Sequence, residues 1–285
     1  MTQRDVCAVV LAAGAGTRLR PLTNLRPKAL CPVGNVPLLD RALARLDSLG
    51  LSGPSQVAVN AHHQAEQIAA AVTGRAHLSV EQPEALGTAG AVAALRNWVA
   101  GRDVLVLNAD AYLAGPLPGD FLAGWSGEHP RLLVVDAGDR RRDFDRWRFA
   151  GVSLLPATAA TRLRPEPTGL YEVVWRDAWA AGCLELSPFE GTFVDCGTPA
   201  DYLAANLHAR TADAAHGVDA AHGVDAAHGV DAGAVVTGTA TDSVVGAGAT
   251  VAGRIVRCVV WPGARVEAHE SLTDTIRADD LTVPA

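Results

Sequence analysis

Residues 9–34 read VVLAAGAGTRLRPLTNLRPKALCPVG and carry most of the information about fold and function in this chain. The apolar run from Val6 to Ala13 ends in Gly14 and Gly16, a pattern typical of a buried parallel strand that leads into a loop. Glycine lets such a loop turn tightly and expose N–H groups that bind phosphate oxygens. Lys28 is the only lysine among the 24 lysine and arginine residues. A compact ammonium group beside a glycine loop indicates a phosphate site.

The overall composition narrows the class of protein. The chain has 285 residues, 49% of them hydrophobic and 19% charged, which suits one large soluble domain with a smaller module. A formal net charge of -7 argues against a nucleic-acid partner. No stretch reaches the ~20 apolar residues of a membrane span, so we expect neither membrane association nor export. The cysteines are odd in number and form no C-x-x-C pair, which predicts a reducing cytoplasm; they are Cys7, Cys31, Cys183, Cys196 and Cys258.

Strand and helix patterns alternate along the first half of the chain. This order predicts βαβ units, a mostly parallel sheet, and ligands at the carboxyl ends of its strands. The predicted strands cover 6–13, 56–59, 78–80, 104–107, 132–135 and 151–155, the predicted helices 38–49, 65–72, 88–98, 171–181 and 202–208, with an arginine-rich turn at 140–148.

The C-terminal third is repetitive. The motif AAHGVD occurs three times in 214–231, either as a duplicated linker or as irregular first coils of a repeat domain. Its histidines lie six residues apart, which is not a helical ligand spacing, so we expect no metal there; they are His216, His222 and His228. Aliphatic residues keep the same period, which predicts a parallel β-helix with 18-residue coils, firmest from about 244; they include Val218, Val224, Val230, Val236, Val245, Val251, Val260, Val266 and Leu272. The predicted domains are 1–210, a linker or first coils at 211–232, and a hexapeptide β-helix at 233–285.

Two cations and two carboxylates complete the candidate site. Arg18 follows the glycine loop after Thr17, and Pro27 keeps Lys28 out of a regular helix. One guanidinium and one ammonium would offset much of the charge of a triphosphate. Asp110 follows the strand at 104–107, and Asp195 lies in FVDCGTP; two carboxylates together with substrate phosphates suffice for Mg²⁺. The alternative for each aspartate is a turn or helix-cap role.

Five segments occur in a fixed order: LAAGAGTRLRPLT, PKALCPVG, ALGTAGA, VLNAD and FVDCGTPADYLAAN. Together they resemble the sugar-1-phosphate nucleotidyltransferases, over nearly all of residues 6–207. The resemblance implies a Rossmann-like, GT-A type mixed sheet with helices on both faces. The C-terminal stretch resembles the left-handed parallel β-helix appended to mannose-1-phosphate guanylyltransferases and glucose-1-phosphate adenylyltransferases. There it usually serves assembly or regulation, which makes a homo-oligomer through the β-helix an expectation.

The resemblance also implies roles for individual residues. Arg18 would contact the leaving phosphates, Lys28 the transferring phosphoryl group, and Asp110 and Asp195 the Mg²⁺ ion. Asn108 and Gly151 would lie against the sugar. The residues implied for nucleotide binding are Leu11, Ala12, Ala13, Gly14, Gly16, Thr17, Gly87 and Thr88.

The chain departs from the family at one point. Many relatives use a second lysine, in an E-K-P segment, to hold the sugar phosphate, and this chain has none. An arginine of the segment before Gly151 would take over that role, the alternative being a solvated charged turn; the candidates are Arg140, Arg141, Arg142, Arg146 and Arg148. Asn60 and Glu84 either reach the substrates or serve as capping and strand-end groups.

The resemblance therefore implies transfer of a nucleoside monophosphate from a nucleoside triphosphate to a sugar 1-phosphate, with GTP and mannose 1-phosphate as the best single pair. The alternatives are an N-acetylmuramate-1-phosphate uridylyltransferase-like or a glucose-1-phosphate nucleotidyltransferase activity. A different class is a non-catalytic regulatory subunit that binds nucleotide sugar. A Rossmann dehydrogenase is disfavoured because the loop continues as Thr-Arg in place of a third glycine.

Overall fold

The computed structural model describes residues 4–216, 224–225 and 229–285. Packing groups the chain into two units. The first unit comprises Met1–Ala15, Arg41–Ala111 and Gly115–Phe193, and the second unit comprises Gly16–Asp40, Tyr112–Ala114 and Val194–Ala285. The domain boundaries predicted near residues 210 and 232 follow chain order and stay predictions. Most of the AAHGVD repeats, with His222 and His228, lie outside the described residues.

The helices and strands are numbered in chain order. The helices are α1 (Leu22–Leu25), α2 (Leu38–Ser48), α3 (Ala65–Val72), α4 (Gly87–Ala94), α5 (Arg96–Val99), α6 (Asp120–Ala123), α7 (Ala157–Ala160), α8 (Arg176–Ala180) and α9 (Pro199–His216). The first strands are β1 (Val6–Leu11), β2 (Pro32–Val33), β3 (Val36–Pro37), β4 (Val57–Ala61), β5 (His77–Val80), β6 (Asp103–Asn108), β7 (Ala111–Ala114), β8 (Arg131–Asp136), β9 (Trp147–Leu155), β10 (Glu185–Pro188) and β11 (Thr192–Asp195).

The first unit is built on a seven-stranded sheet of order β10-β8-β9-β6-β1-β4-β5. Strand β9 runs antiparallel to both of its neighbours, β6 and β8, whereas β1 is parallel to β4 and β6. The sheet is therefore mixed, as the family resemblance implies. Strand β1 is central and buried from Val6 to Val10, which explains why its sequence is continuously apolar.

Three predicted elements need correction. The helix predicted over 88–98 is two helices, because Leu95 closes a tight turn by donating its N–H to the carbonyl of Val92 while its side chain is buried. The helix predicted over 171–181 begins as a π-helical turn at Tyr171–Trp175. The predicted arginine-rich turn is shorter than expected, because β9 begins at Trp147 and pairs that residue with Asp136.

The second unit contains the β-helix. Its strands are β12 (Val224–Asp225), β13 (Val230–Asp231), β14 (Val235–Val236), β15 (Thr239–Thr241), β16 (Val244–Val245), β17 (Thr250–Val251), β18 (Arg254–Val256), β19 (Val259–Val260), β20 (Arg265–Val266), β21 (Ser271–Thr273), β22 (Thr275–Ala278) and β23 (Leu281–Pro284). They form three sheets of orders β12-β13-β16-β19-β22-β23, β14-β17-β20 and β15-β18-β21. A parallel β-helix is the architecture that the sequence period predicted.

The coils are shorter than the predicted 18 residues. Val245 pairs with Val260, 15 positions further on, and Val259 pairs with Ile276, 17 positions further on. One corner of the helix repeats at the same intervals, since Asp242, Arg257 and Asp274 all have positive φ. A left-handed corner residue therefore recurs once in each of these coils.

No helix in the described ranges is long and apolar enough to cross a membrane. Within the cores, two cysteine thiols have raised pKa values. Burial raises the pKa of Cys7, in the first unit, from 9.0 to about 11. Burial also raises the pKa of Cys31, in the second unit, to about 12, although the charges of Arg26 and Lys28 act in the opposite direction. Both thiols therefore stay protonated in the folded protein at neutral pH.

These thiols predict a loss of stability at alkaline pH. An unfolded thiol titrates near 9, whereas the folded protein keeps both protons to about 11 and 12. The folded state then binds more protons above pH 9, so the free energy of unfolding falls as pH rises, by about 1.4 kcal/mol per pH unit for each thiol. Urea unfolding at pH 8, 9 and 10 measures the slope. Cys7→Ala should flatten it; equal slopes in wild type and Cys7→Ala would contradict the assignment.

Candidate nucleotide and phosphate site

Three parallel strands of the first unit end side by side. Leu11 at the end of β1 is in register with Asn60 of β4 and Asn108 of β6. The Ala109 N–H donates to the Leu11 carbonyl over 3.0 Å, which ties the turn after β6 to the start of the glycine loop. Asp110 is the next residue. The structure therefore places the first residues of the loop beside Asn108, and Asp110 follows shortly after Asn108 in the chain. Ligands of α/β sheets bind at this carboxyl edge.

Gly151 lies at an irregularity in β9. The register shifts between Leu132 and Val134 of β8, and Gly151 has a φ of 80°. A Cβ atom at this position would lie 3.4 Å from the Cβ atom of Asn108. The two residues predicted to lie against the sugar are therefore neighbours.

The segment with Gly87 and Thr88 is fastened to the backbone at 168–170. The Thr88 Oγ1 atom accepts a 2.7 Å hydrogen bond from the Leu170 N–H, and the Ala89 N–H donates to the Thr168 carbonyl over 3.0 Å. Gly87 has a φ of 68°, and a Cβ atom there would lie 2.5 Å from the Thr168 carbonyl oxygen. The backbone conformation and close packing at position 87 thus require glycine. The Thr88 hydroxyl, which accepts a hydrogen bond here, can still donate its own proton to one acceptor. Nucleotide contact by both residues stays a prediction.

Gly16 shapes the part of the signature that belongs to the second unit. It has a φ of 57°, and its carbonyl accepts a 3.0 Å hydrogen bond from the Thr23 hydroxyl. A Cβ atom on Gly16 would lie 2.8 Å from Thr23 Cγ2, so only glycine fits. The tight turn Thr17–Leu19 follows directly and presents Arg18.

Three of the four predicted catalytic residues meet in the second unit. The Lys28 Nζ atom lies 3.3 Å from Asp195 Oδ1, and an Arg18 terminal nitrogen lies 3.5 Å from Asp195 Oδ2. The Lys28 side chain is 6% exposed and that of Arg18 is 67% exposed. The Arg18 guanidinium also lies against Gly197, where a Cβ atom would be 2.8 Å from it. Asp195 therefore holds one buried and one exposed cation, and Asp110 belongs to the first unit.

Metal binding was predicted at Asp110 and Asp195. Among the described residues, no group of three or more His, Cys, Asp or Glu side chains could hold an ion. Mg²⁺ sites on nucleotide substrates need fewer protein ligands, since one or two carboxylates and the phosphates complete the shell. Carboxylate oxygen is the right donor for that ion, so the residues present fit it, and the Mg²⁺ site stays a prediction.

Contacts that no sequence motif indicated hold the Lys28 segment. The hydroxyl of Tyr202, in α9, donates to the Pro32 carbonyl and accepts a 3.0 Å hydrogen bond from Trp261 Nε1 in the β-helix. Both aromatic side chains are fully buried. The Arg26 guanidinium lies 4.4 Å from the Trp261 ring centre. In the sequence, Trp261 directly follows Val260, an aliphatic position of the repeat, and that spacing does not indicate its partner.

Replacing Tyr202 by Phe tests this contact. The change removes only the hydroxyl and leaves the Trp261 N–H and the Pro32 carbonyl buried without it. We expect the free energy of unfolding to fall by about 1–3 kcal/mol, measured by urea unfolding. Tyr171→Phe, at a side chain that is 39% exposed, is the matched control and should change stability by less than about 0.5 kcal/mol. Equal stability of the two variants would show that the buried hydroxyl contributes nothing.

The chain is similar to several known proteins. The family described as nucleotidyl transferase matches residues 7–119. The N-acetylmuramate alpha-1-phosphate uridylyltransferase of Caulobacter vibrioides is 30% identical over 247 residues, 75% of this chain and all of the relative. A probable mannose-1-phosphate guanylyltransferase of Oryza sativa subsp. japonica is 27% identical over 94% of this chain and 85% of its own length. A putative glucose-1-phosphate thymidylyltransferase from Bacillus anthracis has a similar fold, with a TM-score of 0.60 at 19% identity over 72% of this chain and 95% of that one.

The mixed sheet is thus that of a nucleotidyltransferase. Because the chain aligns with the whole of a relative at 30% identity, it belongs to the sugar-1-phosphate nucleotidyltransferase family.

Proposed function

We propose that this protein transfers a nucleoside monophosphate from GTP to mannose 1-phosphate, giving GDP-mannose and pyrophosphate. The observation that carries the phosphoryl-transfer assignment is the pair of cations, Lys28 and Arg18, on the single carboxylate of Asp195. The choice of substrate pair is supported by the rice relative, whose similarity extends over 94% of this chain, whereas that of the Caulobacter relative extends over 75%. A homo-oligomer through the β-helix belongs to the same proposal.

The proposed reaction is a displacement at phosphorus. An oxygen of the sugar phosphate attacks the α-phosphorus of the triphosphate, the bond from that phosphorus to the bridging oxygen breaks, and pyrophosphate leaves. The exposed Arg18 would neutralise the leaving phosphates and the buried Lys28 the transferring group. Asp195 holds both cations in place beforehand, so they need little reorganisation when charge develops. A bound Mg²⁺, held by Asp110 and Asp195, would supply further charge neutralisation to the phosphates.

Arg148 is our candidate for the residue that holds the sugar phosphate, a role that a second lysine has in many relatives. Arg141 and Arg146 each face a nearby carboxylate, at 3.6 and 2.9 Å. The Arg148 guanidinium lies 5.2 Å from the ring centre of Phe193, which comes two positions before Asp195 in β11. Arg148 also lies in β9, the strand that carries Gly151. These two connections are the basis for choosing Arg148.

The second candidate function is uridylyl transfer to N-acetylmuramate 1-phosphate. It is favoured by the higher identity of the Caulobacter relative, 30% against 27% for the rice relative. Transfer to glucose 1-phosphate is a third pair of the same class. All three share one chemical step and differ in the base and sugar that the site accepts.

A substrate panel tests the proposed function. Pyrophosphate release is measured with ATP, GTP, UTP and dTTP, each combined with mannose, glucose, N-acetylglucosamine or N-acetylmuramate 1-phosphate, in the presence of Mg²⁺. We expect the highest kcat/KM for GTP with mannose 1-phosphate. A maximum for UTP with N-acetylmuramate 1-phosphate would favour the second candidate instead. Calorimetric binding of nucleotide sugar without turnover of any pair would identify a regulatory subunit and overturn the proposal.

Three methionine variants separate the roles of the cations. Lys28→Met should lower kcat/KM by about 100-fold or more, because it removes charge beside the transferring group. Arg148→Met should raise the KM for sugar 1-phosphate by about tenfold and leave that for nucleotide unchanged. Arg141→Met, the control, should stay within about twofold of wild type. Thermal unfolding of each variant separates misfolding from lost catalysis. A folded Lys28→Met variant with wild-type kcat/KM would remove Lys28 from the site.

A further inference from the structure

A chain of buried hydrogen bonds in the first unit joins two segments that the sequence implicates in nucleotide binding. The Ala12 N–H, in the glycine loop, donates to Asn60 Oδ1 over 2.6 Å. The Asn60 Nδ2 group donates to Glu81 Oε1 over 2.7 Å. The other oxygen, Glu81 Oε2, accepts from the Leu86 N–H over 2.8 Å. Leu86 immediately precedes Gly87, so the three bonds connect both predicted nucleotide segments.

The bridge is almost completely shielded from water. Asn60 is 3% exposed and Glu81 is 2% exposed. A carboxylate is costly to bury unless its oxygens are hydrogen-bonded, and here both oxygens of Glu81 accept a bond. An apolar pair would fill the same space at less cost but would not hold two backbone amides at a set separation. The hydrogen-bonded bridge is therefore suited to fixing the separation of the two backbone amides.

Each bond in the bridge has only one workable direction. The two backbone N–H groups at its ends can only donate, so Asn60 must present its oxygen to Ala12 and its NH₂ group to Glu81. Glu81 must then accept on both oxygens. The main chain of Glu81 is held as well, since its N–H donates to the Ala61 carbonyl over 2.8 Å. The separation between the two segments is thus set by side chains that lie outside the predicted contacts.

We infer that Asn60 and Glu81 are positioning residues for the nucleotide. The inference rests on the proposed function, in which the glycine loop and the Gly87–Thr88 segment bind the triphosphate and the base. Because the Ala12 N–H is engaged by Asn60, the phosphates bind the later N–H groups of the loop. Because the Leu86 N–H is engaged by Glu81, the backbone beside the base is held in one conformation. The bridge controls nucleotide affinity and base selectivity without touching the nucleotide.

A charge-conserving exchange tests the bridge. Glu81→Gln alone brings an NH₂ group against one of the two donors, and Asn60→Asp alone brings two carboxylates together. In the double variant N60D/E81Q, one oxygen of the new carboxylate at position 60 can accept from the Ala12 N–H. The new amide at position 81 can donate to the other oxygen of that carboxylate, while its carbonyl accepts from the Leu86 N–H. All donors again meet acceptors, with the formal charge unchanged. Glu66→Gln, an exposed change of the same kind in α3, is the matched control.

Each single variant should raise the nucleotide KM by about tenfold or more, as expected for one unsatisfied buried hydrogen bond. The KM for sugar 1-phosphate should change by less than about twofold. The double variant should return to within about threefold of the wild-type nucleotide KM, a coupling that independent sites do not show. The ratio of kcat/KM between the best and the second-best nucleoside triphosphate should fall in the single variants and recover in the double variant. Glu66→Gln should behave as wild type.

The inference would be overturned if the nucleotide KM of the double variant were as high as those of the single variants. It would also be overturned if the single variants raised the KM values for nucleotide and sugar 1-phosphate equally. An unchanged nucleotide KM with only a lower Tm would indicate a purely structural role. If a single variant fails to fold, the nucleotide Kd of the double variant, measured by calorimetry, decides the matter. If the wild type binds nucleotide without turnover, the proposed function is wrong. The bridge can then still be tested by comparing the nucleotide Kd of the wild type with those of the variants. If the wild-type protein binds no nucleotide, both the proposed function and the inference about Asn60 and Glu81 are wrong.

Discussion

The pairing of Lys28 with Asp195 is the interaction on which the second unit depends. Lys28 is 5% exposed, and an ammonium removed from water is strongly unfavourable without a nearby negative charge. Asp195 places one oxygen 3.3 Å away and uses the other to hold Arg18. The end of β11 therefore has to meet the glycine signature although 167 positions separate the two residues. The same requirement delivers two cations to one place, which is what a phosphate-transfer site needs.

The β-helix is part of the support for this cluster. One hydrophobic core combines residues of the signature segment, of α9 and of the β-helix, among them Leu22, Cys31, Tyr202, Val245 and Trp261. The Tyr202 hydroxyl connects the Lys28 segment to the β-helix within that core. A change in the β-helix can therefore reach the cations through a few rigid contacts.

Several helices and strands were predictable because the hydrophobic pattern of their own residues determines them. Strand β1 is an unbroken apolar run, and α3 covers the predicted residues 65–72. The break at Leu95 was not predictable, since the 3.6-residue pattern runs through it and only packing of the side chain selects the tight turn. The coil lengths of 15 and 17 residues were not predictable from a period of six either, because they are set by which strands pair between successive coils.

By itself the sequence determined the alternating strands and helices and the repeat of the β-helix, since these follow from the hydrophobic period of short segments. The family and its mixed sheet followed from the resemblance of five sequence segments to known proteins. Only the tertiary structure decided which side chains meet. Asp195 joins Lys28 and Arg18, and the buried Glu81, which no motif distinguishes from exposed Glu84, accepts two hydrogen bonds. The reason is physical: hydrogen bonds and ion pairs between distant residues depend on atomic positions that residue spacing does not encode.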